Sequence, residues 1–247
     1  VDGRLCHGPS VGEVMGQLEL LSVPEPAQPE GIDLRCCGVA ELLANLPEAP
    51  ALIVADPPWS YTNDASQLNG CAGAHYETIS DGQIARVLAD SYAQAKSGGR
   101  LALWLTWPKL QNWIDAVGDL DPVWPWRFVS GGAWTKTGGP GIGFHWLGNS
   151  EPVIVYCKDA GSFTNSSATT SNAHTSPRQK HSEKPVAWMA QWIERWTEPG
   201  DLVCDLFAGM APLARACAQT GRRYAGAEID PERYRQAVDR LALGRSV

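Results

Sequence analysis

The chain has 247 residues, 44% hydrophobic and 19% charged, enough to bury one large α/β core. With 20 Lys and Arg against 27 Asp and Glu the net charge is −7, which excludes a grip on nucleic acid by bulk positive charge but not a local basic cleft. The longest aliphatic runs, such as 51–55, are far too short to cross a bilayer and no secretory leader is visible, so the expectation is a cytoplasmic protein with no membrane partner.

In chain order, Val11 to Leu21 carries a weak helical pattern, and the acidic, proline-spaced stretch from Val23 to Glu30 predicts an extended, solvated linker. Residues 1–31 are therefore expected to be an extension and 32–247 the folded domain. Ile32 to Cys37 reads as a strand, Val39 to Asn45 as a short helix, and Ala51 to Ala55 as a strand buried on both faces. A helix is predicted over Asp81 to Ala95, a strand over Arg100 to Leu105, and a helix over Lys109 to Val117. Strands follow over Arg127 to Trp134 and Pro152 to Cys157. Gly161 to Lys180, crowded with Ser, Thr and Asn, reads as a mobile surface insert without structure of its own. The remainder alternates: helix Val186 to Trp196, strand Asp201 to Asp205, helix Pro212 to Thr220, strand Arg223 to Glu228, helix Pro231 to Leu243. Such alternation indicates an α/β fold, Rossmann-like and doubly wound, with a mostly parallel sheet. Among the seven cysteines there is no Cys-x-x-Cys pair, so no metal site is expected, and most read as small core hydrophobes, with Cys36-Cys37 a partial exception.

Asp56-Pro57-Pro58-Trp59 follows a buried strand directly, at the carboxyl end where open α/β sheets place ligands. The prolines set a rigid turn that would present a carboxylate, a free backbone carbonyl and the flat face of Trp59 together. An aromatic amine is a poor nucleophile because its lone pair is delocalised. A carboxylate and a carbonyl accepting its N–H groups localise that pair by placement and electrostatics alone. A second strand–helix turn, Asp205-Leu206-Phe207-Ala208-Gly209, is followed one strand later by Glu228-Ile229-Asp230-Pro231. A glycine turn with an acidic residue about twenty positions on is the pattern that holds a nucleoside-containing cofactor. Trp104, Trp188, Trp192 and Trp196 lie in core patterns; Trp59, then Trp107 and Trp146, are the stacking candidates.

With these motifs in hand, the sequence resembles the MT-A70-like, circularly permuted, S-adenosylmethionine-dependent adenine N6 amino-methyltransferases. The resemblance is carried by Asp33 to Tyr61, His75 to Ser80, Leu103 to Leu110, Ala133 to Gly138, Gly143 to Tyr156, Lys180 to Pro185 and Pro199 to Tyr234. It implies a seven-stranded sheet in which 201–205 is central, flanked by 223–228 and then 32–37 on one side and by 51–55 on the other. Asp56 and Asp205 would then meet at one sheet edge. It further implies a catalytic half (32–160), the polar insert (161–180) and a cofactor half (181–247). Catalysis would rest on Asp56, Pro57, Pro58 and Trp59. S-adenosyl-L-methionine would be held by Cys37 and Gly38 at its adenine edge and by Glu228 at its ribose. Asp56, Asp205, Phe207 and Gly209 would line its methionine side, with His181, Ser182 and Lys184 near the methionine carboxylate. Tyr61, Lys136, His145 and Trp146 would contact the target nucleotide. One departure stands out: Ala211 occupies the place of the family's second glycine, adding a methyl and losing easy access to positive φ.

The implied activity is methylation of adenine N6 in nucleic acid, DNA rather than RNA, on a flipped or unpaired base, in a phage or bacterial setting. Protein glutamine methylation fits less well, since those enzymes usually begin the turn with Asn. The alternatives are an RNA adenine N6-methyltransferase or a non-catalytic subunit of this fold that positions nucleic acid for a partner; a homodimer or partner subunit is compatible with the modest attraction to phosphates that −7 allows. The insert is too short and polar to build a recognition domain, so at most a few base pairs should be read.

Overall fold

The structure, a computed structural model, describes residues 27–61, 78–139, 148–159, 171–178 and 183–244. Eight strands form one sheet: β1 (Ile32–Cys36), β2 (Leu52–Ala55), β3 (Arg100–Trp104), β4 (Arg127–Thr137), β5 (Ser150–Cys157), β6 (Ala173–Pro177), β7 (Leu202–Asp205) and β8 (Arg223–Glu228). Their spatial order is β1-β8-β7-β2-β3-β5-β4-β6. The pairs from β1 across to β3 are parallel, β5 runs antiparallel to both β3 and β4, and β6 is parallel to β4. The expected neighbours of 201–205 are thus found in the expected order.

The period-2 pattern of the central strands explains two layers of helix. Leu52, Val54, Ala102, Trp104 and Val203 face one side, where they pack with α4 (Val186–Trp196), α5 (Pro212–Thr220) and α6 (Pro231–Leu243). Ile53, Ala55, Leu101, Leu103 and Cys204 face the other, against α1 (Val39–Ala44), α2 (Asp81–Gln94) and α3 (Leu110–Gly118). Parallel strands covered on both faces must be apolar throughout, which is why β2, β3 and β7 read as continuous runs. Trp104, Trp188 and Trp192 are buried as expected, ring against ring, and Trp196 packs on Trp192.

One expectation on the sheet is corrected here. The sheet has eight strands rather than seven, because the polar insert contributes β6, paired with β4 from Ala133↔Ala173 to Thr137↔Pro177. A strand added at a sheet edge is held by backbone hydrogen bonds and needs no apolar periodicity, so its Ser/Thr-rich composition conceals it. The described cysteines divide along the expected line: Cys157, Cys204 and Cys217 are buried, whereas Cys36 is exposed at the end of the edge strand β1 and Cys37 is half-buried. The linker is less detached than its composition suggests. Gln28 bonds both the N–H and the C=O of Leu34 at 2.7 Å, occupying part of the β1 edge with a side-chain amide. The helical pattern from Val11 to Leu21 lies outside the described residues. No described helix is long and apolar enough to cross a membrane.

Candidate active site

The carboxyl ends of the parallel strands bring together turns that are distant in sequence. Val54 pairs with Asp205, and the Leu206 N–H donates to the Val54 carbonyl at 3.0 Å, so the Asp56 and Asp205 turns leave adjacent strands side by side. One strand further, Asp205 pairs with Gly226 and Cys36 with Glu228, which adds Glu228, Cys37 and Gly38 to the same edge. Because β5 runs antiparallel, its beginning rather than its end arrives at this edge: Val153 pairs with Trp104, and Glu151 with Trp134.

Around Asp56 the structure shows a chain of charges. Lys184 Nζ lies 2.6 Å from Asp56 Oδ2 and 3.4 Å from Glu151 Oε2, and Glu151 also pairs with Lys136. Both ammonium groups rest near indole rings, Lys184 5.3 Å from the Trp104 centroid and Lys136 4.8 Å from that of Trp134. Burial pulls the Lys184 ammonium toward neutrality, but the facing carboxylates of Asp56 and Glu151 prevail and raise its pKa, so it stays charged. Burial would raise Glu151 as well, yet the two lysines hold it below the usual carboxylate range. Burial raises Asp56, opposed by Lys184, while its side chain keeps 38% of its surface accessible. Lys184, expected at a methionine carboxylate, is therefore engaged with two protein carboxylates. Glu151 escaped sequence reasoning; its only signal is an acid beginning the otherwise apolar run Pro152 to Cys157.

The Asp-Pro-Pro-Trp turn departs from expectation in two respects. Its carbonyls are not free: Pro57 O accepts from Trp59 N at 2.8 Å and Pro58 O from Ile79 N at 3.2 Å, leaving each one further lone pair. Trp59 is 4% exposed, donates its indole N–H to the Trp104 carbonyl at 3.1 Å, and meets Trp113 edge-on. It is packed as a core tryptophan, because its large apolar surface gains more against Trp113 than it would beside solvent. Among the described residues, the half-exposed indole at this edge is Trp107, 50% accessible and pinned by a 2.9 Å bond to Ser150 Oγ. Tyr61 shares a hydrogen bond with Thr106 Oγ1 at 2.9 Å, and Lys109 Nζ lies 5.3 Å from its ring centroid. His145, Trp146, His181 and Ser182 lie outside the described residues.

At the second turn, Gly209 has φ +54°, with nothing within 4 Å of where a Cβ would stand. Its N–H donates to Glu228 Oε2 at 2.9 Å, and Glu228 Oε1 accepts from Asp230 N at 2.9 Å. A carboxylate offers about four lone-pair sites, so Glu228 retains capacity for two hydroxyls after binding the backbone. Asp205 is 4% exposed, accepting from Phe207 N at 3.4 Å and Tyr224 OH at 3.2 Å. Burial pushes its carboxyl up to about 7; those two donors oppose the rise, and the charges of Asp56 and Glu228 reinforce it. Ala211 does adopt the left-handed conformation expected only of glycine, with φ 51° and ψ 47°, as the N-cap of α5. Gly38, the N-cap of α1, likewise has nothing within 4 Å of the place a Cβ would take, so the backbone there is open to close approach. Three carboxylates and two open glycine turns suit a cationic ligand with vicinal hydroxyls. Among the described residues there is no His/Cys/Asp/Glu cluster suited to a metal ion.

Residues 118–239, which include Lys136, Glu151, Lys184, Asp205 and Glu228, match the N6/N4 profile described as DNA methylase. A segment of 65 residues is 40% identical to the putative methylase YubD of Escherichia coli (strain K12), covering 26% of this chain and 29% of that protein, so the match spans under a third of the relative. The DNA adenine methyltransferase YhdJ of the same organism is 22% identical over 246 aligned positions, covering 81% of this chain and 80% of the relative. Among solved structures, the putative DNA modification methylase TTHA0409 from Thermus thermophilus, complexed with S-adenosyl-L-methionine, superposes with a TM-score of 0.63 at 19% identity, covering 85% of this chain and 93% of the other. That likeness shows a shared fold, the α/β methyltransferase fold with a mostly parallel mixed sheet. The profile match spans just under half of the chain, and the structural likeness is one of fold alone.

Proposed function

We propose that this chain is an S-adenosylmethionine-dependent DNA methyltransferase that methylates the N6 amine of adenine, with the catalytic turn preceding the cofactor turn in the permuted order of the MT-A70-like group. The observation that carries the reading is the adjacency of the Asp56 and Asp205 turns on paired strands β2 and β7. Bound there, the cofactor supplies an electrophilic methyl group on a sulfonium. Glu228 takes the ribose hydroxyls with its remaining lone pairs, Gly38 and Cys37 flank the adenine, and Gly209 leaves room for the ligand beside the backbone. Asp205 and Asp56 supply negative charge on the methionine side, next to Phe207.

Asp56 and the second lone pair of a prolyl carbonyl accept the two N–H groups of the target amine and so turn its lone pair outward. Lys184 occupies Asp56 Oδ2, which leaves Oδ1 for the amine and holds the carboxylate in one orientation. Glu151 takes part of the Lys184 charge and keeps Asp56 from being wholly neutralised. Trp107 is the aromatic face offered to nucleic acid, in place of the packed Trp59. We read residues 32–160 as the catalytic half and 181–247 as the cofactor half of one domain.

A second reading, transfer to N4 of cytosine, is favoured by the breadth of the matching N6/N4 profile, and the same acceptors would serve that amine. The experiment is incubation of the full chain with labelled cofactor and DNA or RNA oligonucleotides, followed by nucleoside mass spectrometry. N6-methyladenine in DNA is the expected product; N4-methylcytosine or methylated RNA replaces the substrate assignment. Cofactor binding without transfer to any nucleic acid supports the non-catalytic subunit. Asp56→Ala should lower turnover by at least about 10²-fold while the cofactor still binds, and retained activity removes Asp56 from the mechanism.

A further inference from the structure

Tyr224 and Gly226 occupy β8 two positions apart, and residues so spaced share one face of a strand. The Tyr224 ring lies forward along the strand over Gly226, where a Cβ would overlap the phenol. Gly226 is not at positive φ, so its backbone does not require glycine; the tyrosine does. Gly226 is also the register partner of Asp205 on β7. The missing side chain therefore opens a slot beside Asp205, through which the Tyr224 hydroxyl donates to Asp205 Oδ2 at 3.2 Å. Burial, followed by the nearby Asp205 charge, holds the phenol well above its ordinary pKa, so it remains a donor throughout the neutral range.

We propose that Tyr224 is a positioning residue for the cofactor: seated in the Gly226 slot, its hydroxyl bonds the Asp205 carboxyl, favours its charged form and orients it for a cationic ligand. The inference rests on the cofactor reading given above. Among the described residues, the groups facing Asp205 are Asp56 from the end of β2, Glu228 and Tyr224 from β8, the Cys204 thiol of β7, the Cys217 thiol of α5 and the Phe207 amide. None of these is a cation, and Lys184 pairs with Asp56 and Glu151 instead. An arriving sulfonium or ammonium thus becomes the counter-ion of Asp205, and its arrival expels whatever proton the carboxyl holds.

Tyr224→Phe keeps the ring and removes only the donor. Affinity for S-adenosylmethionine is measured by calorimetry on the full chain from pH 6 to 9, in two buffers of different ionisation heat. Wild-type binding near pH 7 should release a fraction of a proton. Losing a donor to the charged form moves the carboxyl midpoint about one pH unit toward alkali, so Tyr224→Phe should bind about fivefold more weakly at pH 7, with the gap closing by pH 9. In an Asp205→Asn background the same substitution should add no pH-dependent loss. A wild-type to Tyr224→Phe ratio that is constant with pH, or equal to one, overturns this inference alone. Wild type that binds no cofactor overturns the cofactor reading and this inference with it. Should Tyr224→Phe fail to fold, the wild-type proton count decides: binding with no proton released between pH 6 and 8 overturns the inference.

Discussion

Ala211→Gly isolates the one place where the backbone of the cofactor turn is strained. Ala211 sits at φ 51° and fully buried, and a residue with a Cβ pays about 1–2 kcal/mol for the left-handed conformation. Glycine removes that strain. Against it stand about 0.8 kcal/mol for the buried methyl and about 0.5–1 kcal/mol for the greater freedom of glycine in the unfolded chain. These terms nearly cancel, so Ala211→Gly should change the unfolding free energy by less than about 1 kcal/mol. Ala214→Gly, one turn into α5 and equally buried, relieves no strain and loses both the methyl and the helix propensity, about 1.5–2 kcal/mol in all. Urea unfolding of the three proteins should therefore place Ala211→Gly within experimental error of wild type and Ala214→Gly clearly below. Equal losses in the two variants would refute the strain argument. Cofactor affinity of Ala211→Gly should equal or exceed that of wild type, since the turn keeps its conformation at a position already at positive φ.

Asp205→Asn should alter the pH dependence of stability with a definite sign. The folded carboxyl titrates at about 7 against about 3.9 when unfolded, so the folded state binds its proton more tightly, and ionisation costs stability progressively from pH 4 to 7. The variant should gain on wild type by roughly 2–4 kcal/mol over that interval in urea midpoints; a pH-independent difference speaks against a buried, proton-holding Asp205. Glu151→Gln leaves the buried Lys184 and Lys136 ammoniums short of one carboxylate and should cost about 3–5 kcal/mol, read by thermal unfolding at neutral pH. A loss below about 1 kcal/mol would mean that the lysines find solvent. Trp107→Ala should weaken DNA binding by about 1–3 kcal/mol, seen as a higher KM for oligonucleotide with an unchanged cofactor Kd, if the exposed indole stacks on a base.

The order of strands and helices, the two-sided burial of the central strands and both chemical turns were legible in the sequence by itself. Periodicity and turn chemistry are local properties, and Asp56 and Gly209 each sit where a run of apolar residues stops. Four matters were decided only by the tertiary structure. Whether Trp59 stacks or packs depended on Trp113 and on the Trp104 carbonyl, which approach from α3 and β3. The strand β6 depended on the open edge of β4, since backbone pairing leaves no hydrophobic pattern to read. The Glu151–Lys184–Asp56 chain depended on β5 running antiparallel, which carries the beginning of that strand to the carboxyl edge of its neighbours. The Tyr224 hydroxyl reaches Asp205 only because Gly226 lies between them in register. Sequence specifies what each segment buries and where the chain turns. Which charges meet is set by strand direction and register, because electrostatic contacts form between residues that the sheet, not the chain, makes neighbours.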